Sequence, residues 1–482
     1  MNVLQELPLP QQLWQEHSID MTRHRINGRL LNQSEGMQIG KAQRQHTPRR
    51  ALANISQRPK NIDALSIYHW SNQGRLAHLL PVRAKRMSVS PFTYFRGMPS
   101  LMLFDQAWEG HHSGLFQQIC GDCHLTNFGG FASPERNMLF GINDFDESIV
   151  APFEWDIKRL ASSIMVASPL LGLGEKVGLK AIEILLDTYR AGLLHHQKLS
   201  PLEVWYDKVD ATKILAHTDD KKLRATRKRE LDKARFNTSD KVLPKLTKTD
   251  PVTGFRQFKD EPPLQLHPEN GQPFYQDVEL FFEQYRNSLK FDRQVLFDRY
   301  ALRDVALRVV GVGSVGTPAA VALFKDADHE PLILQMKAAY PSVLSPLIKT
   351  EHSHQGERVI RGQQLMQAAS DIFLGFSQLT KPQTQDFYVR QLRDMKFSAD
   401  LSTMDTEHFY EYIESCGLAL AHAHAKAGNA DIVLGYLGQG TSIVNIMQDY
   451  ATQTAERNLQ DYTQFMNEIN TGKITVAGDE VL

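Results

Sequence analysis

Gly121-Asp122-Cys123-His124-Leu125-Thr126-Asn127 carries the clearest chemical signal in this chain. An Asp stands five positions before an Asn, and a second acidic cluster, Ile142-Asn143-Asp144-Phe145-Asp146, follows. Phosphoryl transfer needs this set. One carboxylate takes the proton from an attacking hydroxyl, while an Asn and a second Asp hold Mg²⁺. The spacing D-x-x-x-x-N fits that use. The apolar run from Met138 to Ile142 reads as a strand that delivers Asp144 into a cleft. A polar turn with capping residues is the plainer alternative, because Asp and Asn are common in turns.

The same stretch contains Cys120-Gly121-Asp122-Cys123-His124, a C-x-x-C-H pattern. Covalent haem or zinc is weighed and set aside. Haem attachment would require export, and a closed zinc site needs four ligands, with Cys416 the one other thiol. His422 and His424 lie two apart in an Ala-rich helical run and so do not share a face. Cys120 is expected to end a buried strand, Phe116 to Cys120, with Cys123 filling the loop.

Length and composition set the outer limits. A chain of 482 residues is long enough for two lobes or domains. Its 54 basic and 55 acidic residues balance, which argues against binding nucleic acid or a membrane surface through net charge. No apolar run suits a transmembrane helix. The polar N-terminus lacks a signal-peptide layout. Three Cys in so long a chain fit a reducing cytoplasm.

A second signal lies downstream. After the apolar run Val305 to Val310 comes Gly311-Val312-Gly313-Ser314-Val315-Gly316-Thr317. Such a loop serves a dinucleotide fold when a helix and then an acid-ended strand follow. It serves a kinase-type hairpin when the next strands lead to a Lys. The next strand here, Leu332 to Lys337, ends in Lys. A glycine-rich hairpin with a surface Lys is the third reading. Glu357 to Ala369 is compatible with an amphipathic helix, and Glu357 is one candidate to pair with Lys337. A solvated Glu at the helix start is the other reading. Residues 372–376 and 387–392 read as strands that complete a small antiparallel sheet. Ser90 to Asp105, Leu171 to His196, Glu407 to Ala427 and Ile446 to Ile469 read as helices. Arg96 is read as contacting phosphate or pairing with an acid.

The order is inverted relative to a kinase, in which the glycine loop and Lys precede the catalytic loop. Circular permutation accounts for this, since folds tolerate new termini at the surface. Chance co-occurrence of two motifs is the rival account.

On wider segments the chain resembles the bacterial domain-of-unknown-function family 2252. The matching stretches include Pro81-Val82-Arg83, Ser90 to Gly97, Gly121 to Gly129, Asn143 to Glu147, Val310 to Thr317, Leu334 to Lys337 and Tyr388 to Lys396. More remotely it is similar to the aminoglycoside and choline phosphotransferase branch of the kinase-like fold. That branch has a Gly-Asp-x-His-x-x-Asn loop and a Trp/Tyr-Asp followed by Leu-Ala, as in Trp155-Asp156-Ile157-Lys158-Arg159-Leu160-Ala161. The resemblance implies ATP and Mg²⁺ as cofactors. It implies Asp122 as the base within a loop that includes His124, and Asp156 as a brace for that loop. Asn127 and Asp144 would be Mg²⁺ ligands, with Asp146 a further one. Gly311, Gly313, Ser314, Gly316 and Lys337 would cradle the phosphates. Pro318 departs from the glycine-loop pattern and suggests an edge strand, since it cannot donate a backbone hydrogen bond.

The expected architecture is α/β (α+β): a two-lobed, kinase-like fold in circularly permuted order, with a small antiparallel-sheet lobe and a larger helical lobe. An N-terminal arm is expected at 1–60 and the catalytic-loop half at 61–200. A charged helical insertion and linker follows at 201–295, including a charged helix at 219–235. The nucleotide-binding lobe is expected at 296–396 and closing helices at 397–482. The expected activity is ATP- and Mg²⁺-dependent phosphate transfer to an unknown hydroxyl-bearing acceptor. A silent nucleotide-binding regulator and an AMP transferase are alternatives, and a Rossmann oxidoreductase a more distant one. Neither nucleic acid nor membrane insertion is expected.

Overall fold

The computed structural model describes residues 12–22, 25–26, 28–55, 57–211, 239–251, 254–267, 277–309, 313–348, 352–380, 384–392 and 397–481. Gly311 and the charged stretch 219–235 lie outside the described residues.

Six strands form the main sheet: β1 (Gln265–Leu266), β2 (Ala301–Arg308), β3 (Ala319–Lys325), β4 (Pro331–Ala338), β5 (Gly375–Leu379) and β6 (Gln385–Gln391). Their order is β1-β2-β3-β4-β6-β5, antiparallel throughout. Successive side chains on a strand point to opposite faces. Ala320, Ala322 and Phe324 of β3 and Leu332, Leu334 and Met336 of β4 join a core with Phe281, Phe282, Tyr285 and Phe297. Those aromatics come from the helices Val278–Ser288 and Phe291–Phe297. Val321, Leu323 and Ile333 turn the other way, onto Leu243, Leu246 and Phe258. Strands covered on both faces need apolar residues at nearly every position. That is why Ala319 to Phe324 of β3 and Leu332 to Leu334 of β4 read as apolar runs.

The larger body gathers the helices Glu154–Leu170, Glu175–His196, Thr406–Ala427 and Ser442–Asn470 around a separate core. Two small sheets sit on it. The hairpin Phe128–Ala132 with Met138–Ile142 is extended by Phe397–Ser398. Strand Leu115–Ile119 lies between Ile19–Asp20 and Ile149–Pro152. Among the described residues no helix is long and apolar enough to cross a membrane.

Several expectations change. Part of the segment 201–295 is more than a linker: Leu243, Leu246 and Phe258 cover one face of the sheet, and Val278, Phe281, Phe282, Tyr285 and Leu289 the other. The described part of the N-terminal arm, from residue 12, is built into the larger body. Ile19–Asp20 pairs in parallel with Leu115–Ile119, and Leu13, Met21 and Leu52 are buried. Helix Gln33–His46 packs so closely on Ala430–Leu437 that a Cβ at Gly40 would strike the Ile432 carbonyl. β3 is not an edge strand. Pro318 precedes it, and only its carbonyl is used, accepting from the Ala338 amide at 2.8 Å. Ser90 to Asp105 is two helices, Pro91–Gly97 and Pro99–Glu109. They break at Met98, because the residue before a proline is disfavoured in the helical region.

Candidate functional site

Strand Leu115–Ile119 ends at Cys120, and the chain turns at Gly121 with φ +79°. A Cβ at Gly121 would also collide with the Glu147 carbonyl, so glycine is required there on two counts. The loop is held from behind by Asp156, which is fully buried. Its carboxylate accepts from the amides of Cys120 at 2.9 Å and Gly121 at 3.1 Å. His424 Nε2 lies 3.4 Å from the same carboxylate, and Tyr189 meets the other ring nitrogen at 2.8 Å. The loop closes on itself through Asn127, whose side-chain nitrogen donates to the Asp122 carbonyl at 2.5 Å. The Asn127 amide oxygen is therefore the atom it has for a cation.

Asp122 faces Arg159. The guanidinium donates to its Oδ1 through Nε at 2.9 Å and approaches it through Nη2 at 2.8 Å. The same guanidinium stacks over Phe95 at 3.8 Å and donates to the Phe95 carbonyl at 2.8 Å. Burial pushes the Asp122 carboxyl above the usual range, with Arg159 pulling the other way. His124 lies 3.7 Å from Asp122 Oδ2 and contacts Thr126 at 3.1 Å. Burial, with the charges of Arg96 and Arg159, holds its ring well below the ordinary histidine range and so neutral.

Lys337 lies near the end of β4, paired in register with Tyr388 of β6. Its ammonium is ion-paired to Asp146 and stands 4.0 Å from Asp144 Oδ2. Burial disfavours that charge, but Asp144 and Asp146 outweigh it and hold the lysine protonated. Tyr388 donates to the second Asp146 oxygen at 2.7 Å. Asp146 is thus engaged on both oxygens and acts as the counter-ion of Lys337. Its reading as a further metal ligand stays an expectation beside this role. Asp144 remains half-exposed and open to the cavity.

Glu357 does not pair with Lys337. It pairs with Arg361 one helical turn on, at 2.6 Å, while Asp146 is the counter-ion of the ammonium. The neighbouring residue of that helix, Arg358, makes the inward contacts instead. It donates to the carbonyls of Asp146 at 2.6 Å, Ser148 at 2.5 Å and Tyr340 at 2.9 Å.

One cavity of about 760 Å³ collects Asp122, His124, Asn127, Asp144 and Asp146 with Gly313 and Ser314. The described part of the glycine loop, from Gly313 on, is docked onto its neighbours. Gly316 has φ +86°, and its carbonyl accepts from the Leu76 amide at 2.8 Å. Arg75 donates to the Val315 carbonyl at 2.5 Å. At Gly313 an added Cβ would meet the Arg96 carbonyl at 3.1 Å.

Sequence reasoning missed Arg159, Tyr388, Arg358 and Arg75. Arg159 had a signal: it stands three residues after Asp156 on one helix, so both face the loop. Tyr388 had none, because its link to Lys337 is a cross-strand register.

The fold and site define a mixed α/β protein with an acidic loop and a lysine-bearing sheet meeting at one cavity. The chain belongs to the family described as an uncharacterized protein conserved in bacteria (DUF2252), whose model matches residues 75–468. No curated protein and no solved structure matches it.

Proposed function

We propose that this protein is an ATP- and Mg²⁺-dependent phosphotransferase on a two-lobed, kinase-like fold in circularly permuted order. The observation that carries the reading is the 4.0 Å approach of Lys337 Nζ to Asp144 Oδ2. It joins the two motifs that the chain keeps far apart. The strand order β2-β3-β4-β6-β5 supports it, with the glycine loop between β2 and β3 and the lysine on the next strand. So does the helix Gln355–Met366 between β4 and β5, anchored to the acidic loop through Arg358.

In this reading Lys337 and the glycine loop grip the triphosphate, and Asp122 orients and deprotonates the acceptor hydroxyl. Arg159 positions Asp122, and Asp156 holds the loop that bears it. The residues fit a magnesium ion, which favours oxygen ligands and keeps several waters. Asp144 offers a half-exposed carboxylate and Asn127 its amide oxygen. Mg²⁺ held there would neutralise charge on the phosphate oxygens. The chain's own contribution is positioning and preorganised charge. Its three buried, free thiols suit the cytoplasm.

The test is Mg²⁺-dependent ATP turnover, with products identified by mass, in the wild type and in Asp144→Asn. Turnover should fall at least a hundredfold while the melting temperature stays within a few degrees. Unchanged turnover in the variant overturns the assignment. Added AMP instead of added phosphate on the product would identify nucleotide transfer.

A further inference from the structure

The acidic wall of the cavity faces three arginines. Arg75, Arg83 and Arg96 all line it, from the N-terminal helical segment. Arg75 bonds to the carbonyls of Ser71 and Val315. Arg83 is 1 % exposed and bonds to Asn72, to the Ser71 hydroxyl at 3.1 Å and to the Gly97 carbonyl at 2.8 Å. Every one of these partners is neutral. Among the described residues no carboxylate lies within 4 Å of any of the three. The Nε atoms of Arg83 and Arg96 are buried without a hydrogen-bond partner. Burial pulls all three guanidiniums below the ordinary arginine range, Arg83 to about 9. A buried cation without an anion is costly, and its usual resolution is a partner charge. Arg96 is the informative member. It lines the cavity with its backbone carbonyl against the glycine loop at Gly313, and its guanidinium feels the charges of Asp122 and Asp144.

We infer that the acceptor is a small hydroxyl compound bearing its own oxyanion, a phosphate or carboxylate, and that Arg96, with Arg83 lining the same cavity, receives it. Guanidinium donors suit such groups, to which they bind through paired hydrogen bonds. The inference rests on the phosphotransferase reading. In the reaction the acceptor oxygen forms a bond to the terminal phosphorus of ATP. The bond from that phosphorus to the bridging oxygen breaks, its electron pair leaving with ADP. The hydroxyl proton passes to the Asp122 carboxylate.

The experiment is titration calorimetry of inorganic phosphate, and separately acetate, at matched ionic strength. The protein is first saturated with Mg²⁺ and a β,γ-imido ATP analogue, which fills the terminal-phosphate position. Wild type should bind at least one of the two anions with millimolar or tighter affinity. Arg96→Gln and Arg83→Gln should each weaken that binding at least tenfold, with affinity for the analogue within twofold of wild type. Tighter phosphate points to a phosphorylated acceptor, tighter acetate to a carboxylated one. Neither anion binding to the wild type, or binding unchanged by Arg96→Gln, overturns the inference. If Arg83→Gln fails to fold by circular dichroism, the half-buried Arg96 decides alone. If the analogue does not bind, the phosphotransferase reading falls, and the same titrations into free protein still test the arginine wall.

Discussion

Asp122 sits between burial, which favours its neutral form, and Arg159, which favours the carboxylate. Its carboxyl lies above the ordinary range, and a general base works only when ionised. On the phosphotransferase reading, the pH profile of ATP turnover should therefore rise on its acidic side as Asp122 loses its proton. Arg159→Met removes the cation that pulls the value down. The acidic limb should then move to higher pH, with a lower plateau. Arg159→Lys, which keeps a charge, should move it less. A limb that stays put in Arg159→Met would show that another group titrates in that range. Lys337 and Asp146 illustrate the same balance with the opposite sign, since each holds the other charged in a buried setting.

The helix Gln355–Met366 transmits between the sheet and the acidic loop. Its two adjacent charged residues do different things because they face opposite sides. Glu357 makes a surface pair with Arg361, of a kind typically worth about 0–1 kcal/mol. Arg358 is 3 % exposed and holds three carbonyls around Asp146. Glu357→Gln should leave stability and turnover nearly unchanged. Arg358→Met should lower turnover at least tenfold, by loosening the segment that carries Asp144 and Asp146. Paired kinetic and urea-unfolding measurements separate these cases. A large loss in Glu357→Gln would restore the lysine–helix pairing that this structure lacks.

Across the whole molecule, the chain's beginning and end are knit together. Arg58 reaches Asp105 with contacts of 2.6 and 2.7 Å and Asp461 with contacts of 2.8 and 2.7 Å. It thereby ties an N-terminal segment to helices Pro99–Glu109 and Ser442–Asn470. Removing one partner from a buried ionic network typically costs about 3–5 kcal/mol, because charges are left uncompensated. Arg457, 3.4 Å from Asp105, remains, so Arg58→Met should cost towards the lower end. Chemical denaturation measures it, and a loss below about 1 kcal/mol would mean the network is dispensable. This junction adds to the strand pairing and buried residues that hold the described N-terminal residues on the body.

Much of the site's local chemistry was legible in the residues alone. Asp122 and Asn127 close one loop through contacts five positions apart, and such short-range geometry follows from spacing. Strand Met138–Ile142 and the lysine-bearing β4 followed from apolar runs, and the long helices Glu175–His196, Thr406–Ala427 and Ser442–Asn470 from their periodicity. What lay beyond sequence was every choice among rival partners. Asp146 and Glu357 were both acids within plausible reach of Lys337, and only the packing of Arg358 against the acidic loop, with the register that brings Tyr388 beside Lys337, selects Asp146. The arginine wall and the covers of the sheet were equally hidden, because they join segments whose spatial neighbours are set by burial of distant apolar faces rather than by order along the chain.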